Sequence, residues 1–261
     1  MAKKSAWAAF PYTDRAYQYS AAAIKKSWER LHRGDCEPLP KDAAVLEAWI
    51  AYHAGDFGAA VEQGLAAGGA GVTAANKAAC IYANYLEEDE KKKLVLYQEV
   101  AQRCEAQQKA DAKNANAFYL HAYALGRYAQ GISIVKALKD GIGDKVKNSL
   151  TTAIKLAPKH ADAHIGLGTY HAEIIDKVGA MLGGLTYGAK KETGQEMFDK
   201  ALKLNPDSAV ARIEMANGLI MMFGKAKMKD AEKLYADAAQ CKPADAMERL
   251  DVETAKAELE D

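Results

Sequence analysis

No C-x-x-C pair occurs in this chain. Its four cysteines, Cys36, Cys80, Cys104 and Cys241, are scattered, so they offer no zinc-ligand spacing and read as buried free thiols. Proline is scarce at six residues, tryptophan scarcer at three. No run approaches the roughly 18 apolar residues of a membrane span. The apolar stretch before Pro11 is about six residues, shorter than the core of a secretory signal, and the expected location is the cytoplasm. Neither sign of charge is in excess: Lys+Arg and Asp+Glu are both 35, without a basic block, which argues against a nucleic-acid partner. Also missing are the G-K-[ST] ending of a phosphate loop, a G-x-S-x-G elbow and an H-E-x-x-H helix. The glycine runs Gly68-Gly69-Ala70-Gly71 and Gly141-Ile142-Gly143 read as breaks between helices. No cofactor and no catalysis are expected.

What the chain does have is alanine, helical apolar spacing and three similarly placed prolines. The segments Ala153 to Pro158 (A-I-K-L-A-P), Ala201 to Pro206 (A-L-K-L-N-P) and Ala238 to Pro243 (A-A-Q-C-K-P) each close an amphipathic stretch. Upstream of each lies a second apolar stretch with small residues at fixed offsets. His164-x2-Leu167-Gly168-x2-His171 precedes Gly194-x3-Phe198, and Arg212-x2-Met215-Ala216-x2-Leu219 precedes Ala231-x3-Tyr235. Ala122-x2-Leu125-Gly126 precedes Val146-x3-Leu150. Weaker copies run from Gly55 to Val61 and from Ala75 to Cys104. Small residues opposite large ones let paired helices approach closely, so this pattern predicts nested helix hairpins.

The pattern resembles the tetratricopeptide motif, whose repeat is 34 residues. The likeness spans about 42 to 243 and is strongest in the last two copies. It implies an all-α, right-handed α-α superhelix of about five helix pairs with capping helices. On this reading residues 1–40 carry an N-terminal capping helix, from Thr13 to Arg33, residues 41–243 the array, and 244–261 a C-terminal capping helix. The timing is uneven: Pro158 to Pro206 is 48 residues and Pro206 to Pro243 is 37. An insertion is therefore expected near 178–193, where Met181, Leu182, Leu185 and Tyr187 stand among glycines, and a smaller surplus between Gly131 and Gly143. The apolar insertion is read as a lid over a groove or as a sticky partner site.

From Arg127 through Leu219 the chain is also similar to the helical-repeat domain of the regulator-of-microtubule-dynamics family, which has a glycine-bearing extra segment before its A-I-K-L-A-P helix. That resemblance implies a non-enzymatic adaptor, in some members one that binds phospholipid. The T-component of some periplasmic solute transporters is similar too, but it would carry an export signal.

Such an array works through its concave face, lined by first helices. The motif offsets put Asn76, Cys80 and Asn84, then Tyr123, Arg127 and Gln130, then Ile165, Thr169 and Glu173, and lastly Ile213, Asn217 and Ile220 in the groove. The expected polar contacts are Asn76, Asn84, Tyr123, Arg127, Gln130, Thr169, Glu173 and Asn217. The set holds one cation, so it lacks a carboxylate clamp. It suits a protein or peptide partner, or alternatively a lipid or small hydrophobic molecule. His160-x3-His164 has metal-ligand spacing, but both histidines read as turn and packing residues and no metal is expected.

Overall fold

The computed structural model describes residues 7–12 and 17–260. Every regular element among them is helical. The helices are α1 (Ala21–Leu31), α2 (Ala43–His53), α3 (Phe57–Ala67), α4 (Gly71–Tyr85), α5 (Glu90–Ala110), α6 (Ala115–Ile132), α7 (Ile134–Lys139), α8 (Ile142–Leu156), α9 (Ala161–Val178), α10 (Ala180–Leu182), α11 (Lys191–Leu204), α12 (Ala209–Phe223), α13 (Met228–Ala239) and α14 (Ala246–Glu258). Five antiparallel pairs stack in order: α2 with α3, α4 with α5, α6 with α8, α9 with α11, and α12 with α13.

Local chemistry starts and stops these helices. Side chains of Ser20, Asp42, Asp56, Asp89, Asn114, His160, Ser208 and Asp245 each accept from a backbone N–H of the first turn, satisfying a donor that the helix leaves unpaired. Pro158 and Pro206 bias the residue before them out of the helical region. Ala157 and Asn205 both have φ −131° and end α8 and α11.

Close approach does the rest. Phe198 of α11 is fully buried between Gly168 of α9 and Gly218 of α12. A Cβ added at either glycine would stand 2.8 Å or 2.5 Å from the ring. The ring therefore locks a second helix into the notch between two successive first helices.

The N-terminal helix is shorter than its spacing suggested. Residues 13–16 lie outside the described residues, and α1 begins only at Ala21, with the Ser20 hydroxyl as its cap. Its buried face is Ile24, Trp28 and Leu31.

The two ends of the array also meet. The chain closes on itself, because α14 packs both on the last pair and on the first. Val252 and Ala255 join Ala209, Ile213 and Ala238, while Ala246 and Leu250 join Trp28, Val45 and Trp49. Arg30 donates twice to Glu248, at 2.6 and 2.9 Å, and His53 Nδ1 lies 2.6 Å from Asp245. The strap after α1 seals one end of the interior. Gly34 O accepts from Asp162 N at 3.0 Å, Arg33 pairs with Asp207 at 2.6 Å, Asp35 bonds both His32 and Lys77, and Glu37 accepts from Asn116.

Candidate functional site

Inside the closed superhelix lies a cavity of about 150 Å³. Four first helices, α4, α6, α9 and α12, build its wall, and α14 contributes Met247 and Asp251. Its cover is α7, through Ile134, Ala137 and Leu138, with Ile142 and Val146 of α8 beside them. Ser133 enters α7 at φ +104°, a backbone region that side chains disfavour.

Residues 178–193, read as a lid or as a partner site, do not line the cavity. They fold back along α8 and α9: Gly183 sits against Ile174 and Val178, and the Tyr187 carbonyl accepts from Lys147 Nζ at 2.8 Å. Met181 and Leu185 are left 81% and 82% exposed, so they cover nothing.

Of the eight expected polar contacts, Tyr123, Arg127, Gln130, Thr169 and Glu173 line the cavity, and so do Cys80 and Ile165 from the wider groove set. Around them runs a polar network that reaches the surface at the exposed Gln130. Arg127 donates to Glu214 at 2.9 Å, Thr169 donates to the other Glu214 oxygen at 3.1 Å, and Gln130 donates to Glu173. Three expected residues lie elsewhere. Asn76 is held between α4 and α5, donating to Gln107 and accepting from Arg103. Asn217 accepts from Tyr235 at 2.6 Å, between α12 and α13. Asn84 is half-buried but does not line the cavity.

The error on these helices is one of phase. On α4 the cavity is lined by Cys80, at the offset of the motif, and by Lys77, Ile81 and Tyr85, each one residue beyond the offsets, as is Glu214 on α12. One residue is about 100° of helix. Motif counting also passed over Asp162, because it precedes the recognisable offsets, and Asp251, because α14 read only as a charged cap.

Electrostatically the cavity is uneven. Two ion pairs serve it, Lys77 with Asp35 and Arg127 with Glu214. Burial alone would lower both cations, but Asp35 holds Lys77 above its ordinary value and Glu214 does the same for Arg127. Among the described residues Asp162, Glu173 and Asp251 are in no ion pair, although Lys77 attracts Asp162 and Arg127 attracts Glu173 from further off. Burial pushes the three carboxyl groups up to about 6, 7 and 8 respectively. Asp251 also accepts the Tyr85 hydroxyl.

The two histidines with metal-like spacing are committed elsewhere. His160 Nδ1 accepts from Ala163 N at 3.1 Å, which leaves Nε2 as the donor to Asn116 Oδ1 at 2.9 Å. His164 Nε2 donates to the Pro158 carbonyl at 3.2 Å. Among the described residues no group of three or more His, Cys, Asp or Glu side chains could hold a metal, and no helix is long and apolar enough to cross a membrane.

A crystal structure of a thermophilic tetratricopeptide protein from Thermus thermophilus is similar to this chain, with a TM-score of 0.57 over 82% of this chain and 97% of that one, at 16% sequence identity. The fold is accordingly of tetratricopeptide type. No protein-family profile and no curated protein matches the chain.

Proposed function

We propose that this chain is a non-catalytic binding protein of tetratricopeptide fold that holds a small, largely apolar molecule inside its closed superhelix. The observation that carries this reading is the 150 Å³ cavity, a volume at which an apolar cavity takes up benzene. A peptide in the groove has less support, since Arg127, Thr169 and Glu173 are engaged with one another's neighbours and α14 stands against the first pair. The small-molecule reading agrees with one implication of the resemblance to regulators of microtubule dynamics, but a phospholipid is larger than this cavity.

Gly126 supplies the test. It lines the cavity, and an added Cβ would meet nothing within 4 Å. Gly126→Leu should fill the space without strain. Titration calorimetry with benzyl alcohol should give saturable binding to the wild-type chain and none to Gly126→Leu. Equal heats from both proteins would refute the cavity as the site.

A protein partner is the second reading, supported by the exposed Met181, Leu182 and Leu185, a cluster of the kind that marks interaction sites. A protein captured by the wild-type chain and lost on Leu185→Asp would support it; capture unchanged by that substitution would not.

A further inference from the structure

The charge left over in the cavity narrows the class of ligand. Six ionisable acidic and basic side chains line it: Lys77, Arg127, Asp162, Glu173, Glu214 and Asp251. Lys77 is already neutralised by Asp35 below it and Arg127 by Glu214 beside it. Three carboxyl groups remain, on three faces of the same space, in no ion pair among the described residues. Asp251 is buried and Asp162 and Glu173 are half-buried, and taking such groups out of water is costly unless an opposite charge joins them.

Aromatic rings stand among them. Tyr85 donates its hydroxyl to Asp251. Tyr119 and Tyr123 of α6 line the same wall, 6.3 Å apart between ring centres. Arg127 stands over the Tyr123 ring at 5.5 Å and Tyr119 meets His160 at 4.7 Å, so this wall already holds a cation on an aromatic face, and aromatic rings beside carboxylates favour a cationic guest. On the other side Ile134, Leu138, Ile142 and Ile165 provide no polar atom beyond their backbone.

Resting on the cavity being a ligand site, we propose that its occupant is a primary amine carried on a small apolar body, the ammonium held by Asp162 and Asp251 and the body turned toward α7. An anionic head would meet three carboxyl groups and, among the described residues lining the cavity, only the paired cations Lys77 and Arg127. A neutral alcohol would fill the apolar part but leave the carboxyls unpaired. Their raised values are consistent with groups that ionise fully only when a cation arrives.

The experiment compares benzylammonium, benzyl alcohol and benzoate by titration calorimetry at pH 8, on the full chain. The amine should bind at least about ten-fold more tightly than the alcohol, a difference of about 1.4 kcal/mol, and benzoate most weakly. Asp251→Asn keeps the Tyr85 bond and should erase the amine's advantage while leaving the alcohol's affinity unchanged. Asp162→Asn is the second variant, with the same expectation. Alcohol and amine binding equally would overturn the amine assignment and leave the cavity as a ligand site. Binding of none of the three, or binding that survives Gly126→Leu, would overturn both.

Discussion

Arg127 of α6 and Glu214 of α12 stand 87 residues apart in the chain and 2.9 Å apart in the fold. Their bond spans the interior past α9, whose Thr169 donates to the same carboxylate. Three first helices are thus tied across the space that an open solenoid would leave to a partner. Removing the cation would strand Glu214 in a mostly buried place. Arg127→Met should cost about 3 kcal/mol in urea denaturation, and Arg127→Met with Glu214→Met less than the single change. A single-variant loss below about 1 kcal/mol would mean the pair is solvated.

The same chemical change should have opposite signs at two glycines. At Gly218 an added Cβ would lie 2.5 Å from Phe198, so Gly218→Ala should destabilise by about 1–3 kcal/mol. At Gly126 there is open space, and Gly126→Ala should stabilise by up to about 1 kcal/mol through helix propensity. Melting temperatures of the two variants check this, and a rise in both would disprove the clamp around Phe198.

Phe198 and Gly168 were also the most legible part of the chain. A large residue on a second helix and a small one on a first helix recur with the terminal proline, so the pairing of helices could be read from their spacing. Asp251 could not. Nothing in its neighbourhood differs from a solvated helix face, and its burial depends on α14 meeting α4, where Tyr85 lies 166 residues away in the chain. The off-by-one placement of Asn76 in place of Lys77, and of Asn217 relative to the Glu214 face, has a similar cause. Motif offsets record how helices pack within a pair, whereas the inward face also depends on how successive pairs rotate, which long-range closure sets.

His160 makes stability depend on acid. Burial lowers it to about 4 from an unfolded value near 6.5, so the unfolded chain takes up the proton first. Its contribution is whole above about pH 6.5 and is lost as pH falls toward 4. His160→Asn keeps a cap acceptor for Ala163 N and removes the titration. Its melting temperature, measured relative to wild type, should rise on going from pH 7 to pH 4.5. A constant difference would contradict the buried neutral imidazole.

Glu37 has the reverse dependence. Burial, then Asp35, raise it to about 8, so the folded chain binds a proton that the unfolded chain has lost. The penalty is absent below its unfolded value near 4.3 and grows as pH rises to 8. Glu37→Gln retains an acceptor for Asn116 and should stabilise the protein at pH 8, by at most about 5 kcal/mol, with little effect at pH 4. Stabilisation that is equal at the two pH values would exclude this cause.

The central claim is that the ligand lies within the closed superhelix and not on its outer surface. A crystal structure of the full chain with benzyl alcohol tests it most directly. The account predicts the ring between Leu138 and Ile165, under α7, and an empty outer surface at Leu185. Density at Leu185 with nothing beneath α7 would contradict it.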